Sequence, residues 1–477
     1  MNVNLTPKNK EFLIIGTLLV LGLFTRFFGI GHQSIWIDEG STFYFTHYSF
    51  SELMKLSEPN SPVYHVMEGM FLGLFGQNEF ALRFISAVAG ALMVPLAYML
   101  SMRLFRNRPA AIVTAALFLL SPICLYYGQE GRGYMLVAFI FMLQILVMVE
   151  ALETKRNLYW AIFAVLSAVQ FTMHYSGIIG TFTLYIYILY HCCRNGLSKD
   201  RYRSLIQMLW SGMLFVILVS PLLYGYLNGE VADSGNKTRW SWCFVGLEYA
   251  INHLNDLMFK FPLSILLILV VAVSLYLCYR RYRDTAVMLA VIGFFPVLFL
   301  TLWSLYSNVS PRYALWSVSG LYLAIPFFMC VLDQKVFTMK KGIAAVSAVL
   351  ILLAVFTLPI YYTEVTKEDF RTGAHVLEEN VKPGDLVLYA SDWENPIYAS
   401  ISFYYDPIKD GIETKGVDNK EELWAYTDSG TYANIYILIL AEYDPLDYLL
   451  HLDSANCEHI CEAYRINVFK ITGPLPH

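Results

Sequence analysis

The stretch FLIIGTLLVLGLFTRFFGI, residues 12–30, carries one charge, Arg26. About 20 apolar residues of helix match the hydrocarbon thickness of a bilayer. Similar blocks recur, and the sequence predicts about eleven spans: 12–30, 84–102, 110–127, 134–151, 158–173, 176–193, 207–227, 262–279, 285–305, 313–332 and 342–362. The chain is 57% hydrophobic and 15% charged, against about 25% charged for soluble chains. The first block is too long for a signal-peptide core and no small-residue cleavage site follows it, so it reads as a retained span. A net charge of −5 points to no nucleic-acid partner.

Lys and Arg set the orientation. With the N-terminus inside, the inner segments hold 17 of them and the outer loops and span ends 8. The chain is therefore read as a multi-pass cell-membrane protein with a cytoplasmic N-terminus and an outer C-terminus. From about Thr363 the composition turns polar. Gly384–Tyr389 and Asn434–Ile439 are turn-bounded, β-branched runs that read as buried strands, and Glu368–Asn380 reads as a helix. The expected organisation is a membrane domain over 1–362 and an extracytoplasmic α/β domain over 363–477. Residues 31–83 form a long outer loop, in which Pro62–Phe75 is too short to span and reads as an interfacial helix. Cys457 and Cys461 sit close together in a polar region, which allows a disulfide, and no cysteine has zinc-site spacing.

The candidate chemistry crowds the outer face. Trp36-Ile37-Asp38-Glu39-Gly40 places two carboxylates just beyond the first span. A carboxylate near an apolar surface has a raised pKa and can serve as a general base; the plainer reading is a solvated loop pair. Gln129-Glu130-Gly131-Arg132 ends the third span, His174-Tyr175 ends the fifth, and Arg312-Tyr313 opens the tenth. Ser61-Pro62-Val63-Tyr64-His65 begins the interfacial helix. Ionisable groups at that depth pair or line a wet cavity. Snorkelling to headgroups is the alternative for Arg132 and Arg312, and a satisfied structural histidine the alternative for His174 and His65. Glu68 and Arg83 read as structural.

These motifs, in order, resemble the GT-C glycosyltransferases that include protein O-mannosyltransferases and the aminoarabinose transferase of lipid A. The resemblance rests on Ser34–Glu39, Ser61–Tyr64, Leu74–Arg83, Ser121-Pro122, Tyr127–Tyr134, His174-Tyr175, Arg312-Tyr313, Lys367–Arg371 and Lys382–Asp385. Ser61, Gly131 and Phe370 depart from the usual proline, alanine and tryptophan. The resemblance implies a GT-C fold and an inverting transfer from an undecaprenyl or dolichyl phosphate sugar to a hydroxyl of a protein, lipid or glycan. It implies Asp38 as base, Glu39 as a holder of acceptor or metal, and Glu130 as a second acid. Arg132 and Arg312 would hold the lipid phosphate, with Tyr313, His174, Tyr64 and His65 lining the site. A divalent ion, in family members that use one, would fall to Asp38 and Glu130. A multi-span transporter or flippase is the competing class, but the charges crowd one face and no two-fold repeat is visible.

Overall fold

The computed structural model describes residues 7–54, 61–194, 198–228, 251–252, 254, 257, 263–305, 310–331, 354–355, 358–359, 361–390, 394–440, 446–452 and 454–476. They fall into two compact units. One comprises Met1–Phe28, Phe50–Tyr64 and Phe84–Thr363; the other comprises Gly29–Ser49, His65–Arg83 and Glu364–His477.

The first unit is helical. It contains α1 (Pro7–Phe27), α3 (Phe50–Leu53), the start of α4 (Pro62–Phe75) and most of α5 (Glu79–Phe105). It continues with α6 (Arg108–Leu120), α7 (Pro122–Gly128), α8 (Tyr134–Thr154), α9 (Asn157–Met173), α10 (Gly177–Cys193) and α11 (Lys199–Asn228). Beyond these come α12 (Leu263–Tyr279), α13 (Arg283–Trp303) and a run of helical turns over 311–330 that includes α14 (Val318–Ala324). Among the described residues five helices are long and apolar enough to cross a membrane, or six if the bent pair α6–α7 is one span. Three of the expected spans are shorter apolar helices, α9, α10 and α12. The helix of the first expected span carries Lys8, Lys10 and Glu11 near its start. The last expected span, 342–362, lies largely outside the described residues, as do Lys335, Lys340 and Lys341 of the inner charge pattern.

The 54° bend between α6 and α7 has a local cause. Pro122 has no N–H to continue the ladder, and Ser121 caps the new helix by accepting from Cys124 N at 3.3 Å. The carbonyls left bare at the end of α6 are taken by Arg26, which donates to Phe118 O at 2.6 Å and Leu119 O at 2.8 Å. A Cβ at Gly90 or Gly128 would press within 3.1–3.3 Å of the Arg26 Cγ, so both glycines make room for its stem.

The second unit contains α2 (Ile37–Phe45), most of α4, the first turn of α5 and a five-stranded sheet. The strands are β1 (Leu386–Ala390), β2 (Glu413–Val417), β3 (Ile435–Leu440), β4 (Cys457–Ala463) and β5 (Ile466–Ile471), in the order β2-β1-β3-β5-β4. β1 pairs in parallel with β2 and β3; β5 runs antiparallel to β3 and β4. Every residue of β1 and β3 is buried, as expected of strands covered on both faces. Alternate residues feed two cores. Val387, Tyr389, Tyr436 and Leu438 pack with Phe370 and Leu377 of α15 (Phe370–Asn380) and with Ile397 and Ile401 of α16 (Glu394–Ser402). Leu386, Leu388, Ile435 and Ile437 pack with Leu423 of α17 (Lys420–Asp428) and Leu449 of α18 (Leu446–Leu450). The strands and helix expected in this region are thus present. The disulfide is not: Cys457 and Cys461 are free thiols on one extended strand. Four residues of strand span about 13 Å, well beyond the reach of a disulfide.

Within the first unit α13 and α14 touch at glycine. A Cβ on Gly320 would meet the Gly293 nitrogen and come 2.8 Å from Leu289 O. Overpacking of this kind costs about 1–3 kcal/mol. Gly320→Ala is therefore expected to lower the unfolding temperature in detergent. Gly16→Ala, where nothing lies within 4 Å, should leave it near that of the parent.

Candidate functional site

In the second unit, α2 carries the carboxylate pair in its first turn. Successive helical residues point about 100° apart, and the two acids part company. Asp38 is partly exposed, whereas Glu39 is fully buried. Glu39 forms a two-pronged pair with Arg83, Nε to Oε1 at 2.7 Å and Nη2 to Oε2 at 2.8 Å. Lys367 Nζ adds a third contact at 3.1 Å, and Trp36 N donates to the same oxygen at 3.4 Å. Arg83 uses its other N–H groups on Ile30 O, Gln33 O and Ser34 O at 2.6–2.9 Å. Glu39, expected from the resemblance to hold acceptor or metal, is here the counter-ion of two buried cations.

A second clamp grips the same loop. Arg371 pairs with Glu79 at 2.5 Å and donates to Gly31 O at 2.8 Å. Tyr404 accepts from Ile35 N and donates to Glu79, at 2.8 and 2.7 Å. Burial pushes the Tyr404 hydroxyl well above the ordinary tyrosine range, with Glu79 adding to the effect. Glu368 is also buried. Burial raises its carboxyl above the usual range, partly offset by nearby backbone N–H groups and by Arg465. His65 is buried with its ring 5.1 Å from Phe45.

In the first unit the other expected residues gather round one side chain the sequence reading quoted without a role, Tyr134. Arg132 and Arg312 place their guanidinium carbons 5.8 Å and 5.6 Å from its ring centre. The His174 ring lies 4.8 Å from it and the Tyr313 ring 6.1 Å. Glu130 is fully buried in the turn that ends in Arg132, whose N–H donates to Glu130 O at 2.8 Å. The Arg132 carbonyl accepts from Ser86 Oγ at 2.8 Å, and Ser86 in turn meets Tyr64 OH at 3.0 Å. His174 Nδ1 accepts from Ser176 N at 3.1 Å, which leaves the proton of the neutral ring on Nε2. Gly133 lets this turn pass: a Cβ there would be 2.7 Å from Met173 O. Gln129 pins the turn to the end of α1, donating to Arg26 O at 3.0 Å and Phe28 O at 2.7 Å.

Three residues without a role in the sequence reading thus enter: Tyr134, Gln129 and Lys367. All three lay within motifs that carried the resemblance, which was the available signal. Among the described residues no three His, Cys, Asp or Glu side chains group closely enough to ligate a cation.

Removing one partner of a buried ion pair costs about 3–5 kcal/mol, because the other charge is left uncompensated. Glu39→Gln, which strands part of the charge on Arg83 and Lys367, is expected to lose much of its thermal stability in detergent. Asp38→Asn should unfold within a few degrees of the parent. Equal unfolding temperatures for both would show that the Glu39 network contributes little.

Comparison with known proteins adds to this picture. The sequence profile described as dolichyl-phosphate-mannose-protein mannosyltransferase matches residues 58–224. An uncharacterised protein of Aquifex aeolicus is 24% identical over 234 residues, which are 46% of this chain and 44% of that one. The match therefore spans less than half of the relative's length. Among solved structures, ArnT from Cupriavidus metallidurans bound to undecaprenyl phosphate superposes with a TM-score of 0.62 at 12% identity, covering 98% of both chains. The same protein in its apo state gives 0.62 at 13% identity, over 96% of this chain and 98% of that one. The mycobacterial arabinofuranosyltransferase AftD gives 0.50 at 12% identity, over all of this chain and 42% of its own. With its helical membrane unit and C-terminal sheet, the chain shares the overall fold of these membrane glycosyltransferase structures.

Proposed function

We propose that the protein transfers a sugar from a polyprenyl-phosphate carrier to an acceptor hydroxyl on the extracytoplasmic side, inverting the anomeric carbon. The observation that carries this reading is the approach of Arg132 and Arg312, 180 positions apart, to one tyrosine ring. Two cations drawn together repel unless an anion joins them. A ring face attracts a guanidinium, and guanidinium N–H donors suit phosphate oxygens two at a time. The ArnT structure of the same fold contains undecaprenyl phosphate, and Arg132, Tyr134 and His174 fall inside the mannosyltransferase profile.

In this reaction the acceptor oxygen forms a bond to the anomeric carbon while the bond from that carbon to the phosphate oxygen breaks. Polyprenyl phosphate leaves with the bonding electrons. Arg132 and Arg312 stabilise the charge that develops on it, and the Nε2–H of His174 offers a further donor. The hydroxyl proton passes to a carboxylate. Asp38 is assigned that part because Glu39 is committed to Arg83 and Lys367, and Glu130 is the second acid. The domain organisation over 1–362 and 363–477, and the cytoplasmic N-terminus, belong to the same proposal.

Arg132→Ala and Arg312→Ala are expected to weaken binding of a radiolabelled polyprenyl-phosphate sugar, with a loss of about 2–5 kcal/mol where the contact is dry. Lys at either position should restore only part, since it lacks the planar fork. Unchanged affinity in both Ala variants would leave the arginines as headgroup anchors. With donor and acceptor saturating, Asp38→Asn should bind donor normally and turn over about 10²–10⁴-fold more slowly. Turnover within a few-fold of the parent would move the base to Glu130.

A further inference from the structure

One helical turn along from the Tyr134 cluster lies a layer of buried polar side chains. Gln144, Ser167, Gln170 and Thr181 are fully buried, in helices α8, α9 and α10 that are otherwise largely apolar. An amide in such a place is costly unless hydrogen-bonded. Once bonded, it fixes the groups it joins.

Gln170 joins three helices. Its Nε2 donates to Val137 O of α8 at 3.3 Å, and its Oε1 accepts from Thr181 Oγ1 of α10 at 3.1 Å. Both ends of this strap lead to the cluster. Val137 N donates to Gly133 O at 2.9 Å, in the turn between Arg132 and Tyr134. His174 N donates to Gln170 O at 3.3 Å, and Gly177 N to His174 O at 2.9 Å. Side chains three and four residues apart share a helix face, so Val137 lies below Tyr134 and Gln170 below His174.

The contacts around the strap leave no slack. A Cβ at Gly177 would stand 2.8 Å from both Cγ and O of Gln170. A Cβ at Gly180 would press on Gln170 Nε2 at 3.2 Å and on Trp316 Nε1 at 3.1 Å. Trp316 is buried four positions beyond Arg312. The segments that carry Arg132, Tyr134, His174 and Arg312 therefore converge, one turn on, around Gln170 and Gly180.

We propose that Gln170 is a positioning residue for the donor site: its buried amide fastens α8 to α10 and so holds Tyr134, His174 and the Arg132 turn at their mutual distances. The inference rests on that cluster holding the lipid phosphate. Gln170 touches no substrate in this role.

The test compares Gln170→Leu with Gln144→Leu in the whole chain. Gln144 also bonds across helices, to Ser167 Oγ at 3.1 Å, but it lies ten positions beyond Tyr134. A merely structural role predicts the same outcome for both. A misplaced group costs up to about 100-fold, so Gln170→Leu is expected to weaken binding of a radiolabelled polyprenyl-phosphate sugar about 10- to 100-fold, and Gln144→Leu less than about threefold. In an Arg132→Ala background Gln170→Leu should add little, because residues acting as one unit are not additive. Hydrogen exchange needs no substrate: amides 130–134 and 174–177 should exchange faster in Gln170→Leu and not in Gln144→Leu. Normal donor binding in both arginine variants would overturn the phosphate reading, while faster exchange at these turns would still support the strap. Parent-like exchange there, equal loss of donor affinity in the two Leu variants, or full additivity with Arg132→Ala overturns the inference. Should Gln170→Leu fail to fold, Thr181→Val, which keeps the shape and removes the hydroxyl that donates to Gln170, is read in the same way.

Discussion

Arg83 is buried to 1% exposure, and its five N–H donors have five acceptors: two on Glu39 and one each on Ile30, Gln33 and Ser34. A guanidinium in such a place is tolerable only when its charge is matched and every donor is used. The consequence is geometric. A single side chain at the start of α5 fixes the path of residues 30–34 and the first turn of α2 together. Because Glu39 is held from that side and by Lys367 from the other, the helix that presents Asp38 has little freedom to rotate. The Arg371–Glu79–Tyr404 clamp acts on the same loop, so two separate sets of polar contacts hold one short stretch of chain.

The first unit uses arginine in the same way where the helix ladder breaks. Arg26 takes the carbonyls that Pro122 leaves bare, with Thr25 Oγ1 as a further acceptor at 2.7 Å. No carboxylate is among these partners. Carbonyl dipoles compensate the charge in part, and the buried Nε has no acceptor among the described residues. Burying a cation this way is costly. What it gains is a fixed bend, and Gln129 couples that bend to the turn bearing Glu130 and Arg132.

The long helices and the two fully buried strands were legible because their signals are local. A block of about 20 apolar residues, or a β-branched run between turns, needs no partner to be recognised. Reading Arg83 as structural also followed from sequence. What escaped depends on pairs distant along the chain. Glu39 looks like Asp38 in sequence; only its position opposite Arg83, 44 residues on, and Lys367, 328 residues on, separates their roles. Tyr134 stood inside a quoted motif, but its ring becomes a centre only once Arg312 and His174 arrive from other helices. The proximity of Cys457 and Cys461 suggested a bond that an extended strand forbids, since sequence distance says nothing about conformation.

The arginines of this chain divide by what their flat and edge faces meet. Arg83 and Arg26 spend their edges on protein acceptors, and each is a cross-link. Arg132 and Arg312 also approach the Tyr134 ring, whose negative face attracts a cation. Lys in the same positions would lose both the stacking and the fork. Tyr134 is itself 2% exposed, with the His174 and Tyr313 rings around it. Under the proposed reaction, a leaving group whose charge grows as the bond breaks is what two arginines at such a place would stabilise most strongly.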